Sequence, residues 1–309
     1  MREKPNFARL IDSVCTPDPA EGSAVTLHES DATIVYKTGG PEPYVVRLSF
    51  QRPEERGGQV KLLQTIGDLG GLTAAIFHSE SREIGGRPCA IDVMTYLPGA
   101  PLQQSPSRLE AQAIIDAVYT LHKRLRSLSL DAAACGIPKL EEILRGLIAS
   151  SEPSPMRSRA TRLMDSERFS ALLADRDPCL IYGDPWPSNF LIDRTLHLPQ
   201  VRIVDIEPLF FGPAILQPAL LFSACFVASS LLFPSEDAAV LDLDALINAW
   251  PEDLNREDVL MMMQVFPVLL SLFKRAGRTG DPSTYPESLQ ASLRLLERCL
   301  AVIDGYDAV

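Results

Sequence analysis

The chain has 309 residues, 46% hydrophobic and 22% charged, which is the balance of an ordinary globular protein with enough length for two modest domains or one bilobal one. Its 29 Lys and Arg against 40 Asp and Glu leave a net charge of −11, which argues against nucleic acid as the main partner and suits a cationic one. The six cysteines (Cys15, Cys89, Cys135, Cys179, Cys225, Cys299) are scattered, with no C-x-x-C pair and no nearby histidine to complete a metal site. They read as buried thiols in a reducing compartment, and residues 1–10 hold no apolar segment of a secretory signal, so the expected location is the cytoplasm.

In chain order, residues 24–28, 33–37 and 44–50 carry strand patterns around the turn Gly39-Gly40-Pro41, and 58–66 fits a short helix. Residues 74–78 and 90–97 add two strands about the turn residues Gly85-Gly86-Arg87-Pro88. The pattern changes after Pro98-Gly99-Ala100-Pro101. Ser107 and Glu110 form a capping box, and Leu109, Ala113, Ala117, Leu121, Leu125 and Leu128 continue from it at helical spacing. Further helices are expected at 140–149, 157–174, 214–233, 237–250, 257–273 and 287–303, with short strands at 179–182, 190–193 and 201–206. The predicted class is therefore α+β, with a small antiparallel β-sheet lobe over 1–97 and a larger, mainly helical lobe over 98–309. Residues 208–234 contain no charge, and 216–233 approaches the length of a membrane span. Its Gln217, Pro218, Ser223, Ser229 and Ser230, and the lack of flanking basic residues, favour a helix buried in the core. No internal repeat or low-complexity tract is present.

The chemistry concentrates at 180–193 and 201–207. Asp184 and Asn189 lie five apart in a Gly- and Pro-rich loop between apolar strands, and Asp205 ends the next apolar strand. Phosphoryl transfer needs such a set: a carboxylate to orient a hydroxyl and take its proton, and oxygen ligands to hold magnesium against nucleotide phosphates. The histidines offer no pair spaced for metal, His122 on an apolar helix face reads as a core group, and Met261-Met262-Met263 reads as core filling.

Leu180-Ile181-Tyr182-Gly183-Asp184-Pro185-Trp186-Pro187-Ser188-Asn189 and Ile203-Val204-Asp205-Ile206-Glu207 resemble the catalytic loop and metal strand of the aminoglycoside phosphotransferase and choline kinase superfamily, which has a protein-kinase-like bilobal fold. The Asp-x-Trp-x-x-Asn form is also similar to that of fructosamine kinases. The resemblance implies that Asp184 is the catalytic base and that Asn189 and Asp205 are Mg2+ ligands, with Glu207 beside them. It extends to Tyr44-Val45-Val46-Arg47-Leu48, where Arg47 is expected on the phosphates of ATP or GTP. Residues 94–102, with Met94 and Tyr96, resemble the hinge that holds the purine, and Leu121-His122 resembles the Leu-His pair of the helix that follows. The turn holding Ser30 and Asp31 occupies the place of the loop over the phosphates, although it contains no glycine.

Four departures stand out. Tyr182 replaces the histidine before Gly-Asp, Pro185 follows the catalytic Asp, Gln59 takes the place of the helix glutamate that pairs with the strand-three base, and Gly212-Pro213-Ala214-Ile215-Leu216 lacks the usual Asp. None removes the base or a metal ligand. The implied activity is transfer of a γ-phosphoryl group to a hydroxyl of a small molecule. An antibiotic is the leading acceptor, and a metabolic acceptor of the choline, homoserine, thiosugar or fructosamine type is the second. A catalytically inactive nucleotide-binding relative is the alternative from another class. Neither nucleic acid nor membrane is expected as a partner.

Overall fold

The computed structural model describes residues 11, 24–30, 32–39, 43–50, 56–67, 69–128, 136–174, 178–195, 197–233, 243–276, 278 and 285–307, with backbone alone for 56–59. The chain divides into two compact units, Met1–Pro98 and Gly99–Val309. Asp31 lies outside the described residues, as does the side chain of Gln59.

In the first unit, β1 (Val25–Glu29), β2 (Thr33–Lys37), β3 (Tyr44–Ser49), β4 (Ile76–Ile84) and β5 (Arg87–Thr95) form one sheet in the order β1-β2-β3-β5-β4, with helix α1 (Arg56–Ile66) between β3 and β4. Every pairing is antiparallel. Alternation along the strands puts Val46 and Leu48 of β3 with Cys89, Ile91 and Val93 of β5 in one apolar cluster that also holds Ile11. The β4–β5 hairpin is longer than the sequence pattern indicates and turns at Gly85 and Gly86, whose φ values of 58° and 77° favour glycine. Polar His78, Ser79, Glu80, Ser81, Arg82 and Glu83 carry β4 past the apolar residues that mark its start, so hydropathy alone ends the strand too early.

The second unit opens with the two-residue strand β6 (Ala100–Pro101), then α2 (Arg108–Ser127), whose predicted capping box is present between Ser107 and Glu110. After it come α3 (Leu140–Ser150), α4 (Pro155–Met164) and α5 (Glu167–Leu173). The single helix expected over 157–174 is broken because Ser166 turns out of helical geometry and caps α5 by accepting from the Phe169 N–H. Four short strands follow: β7 (Cys179–Tyr182), β8 (Phe190–Asp193), β9 (Gln200–Ile203) and β10 (Leu209–Gly212). β7 pairs with β10, and β8 pairs with β6 and β9.

The uncharged stretch becomes α6 (Leu216–Leu221), a π-helical segment over Phe222–Val227, and α7 (Ala228–Leu232), most of it buried. No helix among the described residues is long and apolar enough to cross a membrane. The chain ends with α8 (Leu243–Ala249), α9 (Arg256–Met263), α10 (Val265–Arg275) and α11 (Glu287–Asp307). Helices α9 and α10 replace the single helix expected over 257–273. Pro267 falls in the first turn of α10, where its missing N–H leaves no intrahelical bond unmade. Met156 and Ala160 of α4, Val268 and Leu272 of α10 and Leu300 of α11 pack into one core.

His122, fully buried on α2, has no hydrogen-bond partner on either ring nitrogen among the described residues. Burial, then the charge of Arg126, lowers its pKa to about 4. Because the folded-state value lies below the unfolded one, the unfolded chain binds the extra proton first, and stability falls as pH drops from about 6.5 toward 4. The expected loss is about 3 kcal/mol, at 1.4 kcal/mol per pH unit. Urea midpoints across this range should show that loss in the wild type, and a much shallower one in His122→Gln.

Candidate active site

The site is built on the β7–β10 pair and the β8–β9 hairpin. β7 is buried throughout and delivers Tyr182, Gly183 and Asp184 to its end. The Gly183 N–H donates to the Pro208 carbonyl at 2.6 Å. A Cβ on Gly183 meets that carbonyl oxygen at 2.8 Å and the Phe210 ring at 2.6 Å, so close approach of backbone dictates glycine here. Pro185 and Pro187 then stiffen the loop. The Trp186 N–H donates to the Asp184 carbonyl at 2.7 Å, and the Asn189 N–H to the Trp186 carbonyl at 2.9 Å, closing a 3-10 turn over Pro187–Asn189.

These turns bring two of the predicted residues together. Asn189 Nδ2 donates to the Asp184 backbone carbonyl at 2.9 Å and to its Oδ2 at 3.0 Å. The Asn189 carbonyl accepts from the Val204 N–H at 2.9 Å, which ties the loop to the end of β9 one residue before Asp205. Asp205 holds a left-handed backbone, with φ at 53°. For a non-glycine residue this is uncommon and costs on the order of 1 kcal/mol or more, tolerated best by Asn and Asp.

Tyr182 lies among these groups. Its fully buried hydroxyl donates to the Val204 carbonyl at 3.4 Å. Its pKa is pushed well up by burial and then by the negative charge of Asp184, with Asp205 and Glu207 adding to the rise and the Asn189 side chain opposing it. Burial likewise raises the pKa of Asp184, against the Asn189 hydrogen bond and the charge of Lys274 on α10. Trp186 stacks on Phe266 of α10, with ring centroids 5.8 Å apart and planes at 27°.

One residue that supports this loop escapes the sequence reading. Gln217 on α6 is fully buried and faces the backbone of Tyr182: the Tyr182 N–H donates to its Oε1 at 2.8 Å, and its Nε2 donates to the Tyr182 carbonyl at 3.2 Å. The carboxamide acts as a neighbouring strand would, holding the residue two before Asp184 by both backbone groups. Its only sequence signal is a polar side chain within the uncharged stretch. Gln217→Leu strands two buried backbone groups at about 1–3 kcal/mol each. Thermal denaturation should show that loss, and turnover should fall in preparations that remain folded.

In the first unit, the Arg47 Nη2 donates to Asp92 Oδ2 of β5 at 3.0 Å. Met94 pairs across the sheet with Val45 and Ile76, and Lys37 sits over the Tyr96 ring at 4.0 Å. Ser30 Oγ accepts from the N–H groups of Ala32 and Thr33, and its hydroxyl donates to the Thr33 carbonyl, so the side chain closes the β1–β2 turn.

No group of three or more His, Cys, Asp or Glu fit to hold a metal occurs among the described residues. A magnesium ion nevertheless takes few protein ligands and keeps water and phosphate oxygens for the rest. The carboxylate of Asp205 and the amide oxygen of Asn189 are donors of the required hard-oxygen type.

A sheet-bearing unit followed by a mainly helical one, with a carboxylate-and-amide loop on the second, is an architecture that kinase-like phosphotransferases share. The comparisons agree: the model of the phosphotransferase enzyme family matches residues 24–251, and the chain belongs to that family. It is a kinase of the small-molecule class. No curated protein sequence matches it. Among solved structures, the amicoumacin kinase hAmiN, in complex with AMP-PNP, Ca2+ and Ami, aligns at 14% identity over 97% of this chain and 94% of its own, with a TM-score of 0.67. Choline kinase LicA from Streptococcus pneumoniae aligns at 17% identity over 96% and 100%, with a TM-score of 0.62. A microcompartment-associated aminopropanol kinase aligns at 14% identity over 98% of each chain, also at 0.62. The α+β class read from the sequence is the observed one, as is the superfamily.

Proposed function

We propose that this enzyme moves the γ-phosphoryl group of ATP or GTP to a hydroxyl of a small molecule, in the cytoplasm, with an antibiotic or related natural product as acceptor. The observation that carries the reading is the Asp184–Asn189 contact beside Asp205. Asp184 orients the acceptor hydroxyl and takes its proton as the bond to phosphorus forms, while the leaving nucleotide departs as the diphosphate. Asn189 and Asp205 hold magnesium, which neutralises charge on the phosphate oxygens. The low-dielectric surroundings that raise the Asp184 pKa strengthen it as a proton acceptor. Arg47 engages the nucleotide's phosphates, and Met94, Tyr96 and the turn of Ser30 and Asp31 are assigned to the nucleotide on the resemblance.

The acceptor class draws support from the relatives: an amicoumacin kinase and two aminoglycoside phosphotransferases are among the similar folds. Trp186, half-buried on the same loop as Asp184 and backed by the buried Phe266 ring, adds an aromatic side chain suited to a ring-bearing acceptor. Choline and aminopropanol kinases share the fold too, and make a metabolic amino alcohol the second reading. Burial raises the pKa of the Cys225 and Cys299 thiols, which keeps them unreactive. Transfer of label from γ-labelled ATP and GTP across a panel of antibiotics and amino alcohols tests the proposal. Labelled product is expected with a natural-product hydroxyl; nucleotide binding without product from any acceptor overturns it in favour of an inactive relative.

A further inference from the structure

We propose that Asp92 is a positioning residue, whose carboxylate holds the Arg47 guanidinium in the direction from which it meets the nucleotide's phosphates. The inference rests on the phosphate role given to Arg47 above. Arg47 and Asp92 are direct cross-strand partners in the β3–β5 ladder. Both side chains lie on the sheet face opposite the apolar cluster of Val46, Leu48, Ile91 and Val93. They form an ion pair at 3.0 Å, with the side chains only 11% and 0% exposed. In the family's motif a helix glutamate partners the strand-three base, and this chain has Gln59 there. Asp92 brings a carboxylate to the arginine from the adjacent strand, where two fixed backbones set the distance.

Stability alone is a poor reason to keep such a pair, because buried ion pairs are commonly matched or bettered by apolar residues of similar volume. Its value lies in preorganisation. An arginine carries about 2 kcal/mol of rotamer entropy, and one already oriented by a carboxylate loses less of it on meeting a second anion. The planar fork can present one edge to a carboxylate and another to a phosphate oxygen.

The test is calorimetric binding of AMP-PNP and GMP-PNP with magnesium, beside the phosphate-free nucleosides adenosine and guanosine, to the full chain and to Arg47→Gln, Asp92→Asn and the double variant. Asp92→Asn should weaken the triphosphate analogue by about tenfold and leave the nucleoside within about twofold. The double variant should bind the analogue no worse than Arg47→Gln alone, since Asp92 acts through the arginine. Where Asp92→Asn fails to fold, Asp92→Glu, which keeps the charge and displaces the carboxylate, should lose about threefold for the analogue only. An Asp92 variant that folds and binds the analogue as wild type, while Arg47→Gln is weakened, overturns the proposal. Equal losses for analogue and nucleoside do the same, because they mark a purely structural role. If Arg47→Gln itself binds the analogue normally, the phosphate role of Arg47 falls first, and this proposal with it.

Discussion

Asp184→Asn is expected to reduce turnover by at least about a hundredfold, the low end for loss of a general base. The substitution is nearly isosteric, and the new carboxamide still accepts from Asn189 Nδ2 through its oxygen, so the 3-10 turn and the loop persist. Thermal stability should hold or rise. The folded state raises the Asp184 pKa, mainly by burial, which means that folding disfavours the ionised form and that stability is lost as pH rises through the range where it ionises. A neutral residue escapes that penalty. Slow turnover with an undiminished melting temperature is the signature of a group retained for chemistry. Turnover of Asp184→Asn near the wild-type rate removes it from the mechanism.

The second large effect belongs to Asp205. Asn is the substitution of choice, because it tolerates the left-handed φ of 53° and leaves the β9 backbone in place. It also removes the anionic oxygen proposed for magnesium. At a fixed magnesium concentration, turnover should fall by at least about a hundredfold, the scale for removing one preorganised electrostatic contact in a transition state. Raising magnesium should recover part of it, since the remaining donor still binds the ion weakly. Magnesium titrations of wild type and variant read both effects. An unchanged magnesium requirement in Asp205→Asn places the metal elsewhere.

Much of this site is legible in the amino-acid sequence, because its signals are local. Asp184 and Asn189 sit on one loop whose glycine and prolines fix its path, and Asp205 follows a short apolar strand that has to pair with its neighbour. The less legible parts depend on contacts distant in sequence. Gln217 reaches Tyr182 across 35 positions, and nothing near it indicates whether a polar residue in an apolar helix faces a backbone edge or an empty gap. Asp92 looks like any polar residue on a half-buried strand until the register sets it opposite Arg47. The break between α4 and α5 carries a legible sign in Ser166, outweighed by the helical periodicity on either side. The π-helical turn at Phe222–Val227 has no such sign, since any apolar run accommodates it.

Tyr182 and Gln217 work as one brace. The tyrosine hydroxyl braces the end of β9, and the glutamine braces the tyrosine backbone by both its groups. Both contacts support the strand and loop that carry Asp184.

The most direct measurement is a crystal structure of the enzyme with magnesium and a non-hydrolysable nucleoside triphosphate. The Asp205 carboxylate and the Asn189 amide oxygen should each lie at about 2.1 Å from the ion, the distance octahedral magnesium demands, with Asp184 facing the terminal phosphate. An ion held by other residues, or a nucleotide whose terminal phosphate lies far from Asp184, contradicts the account.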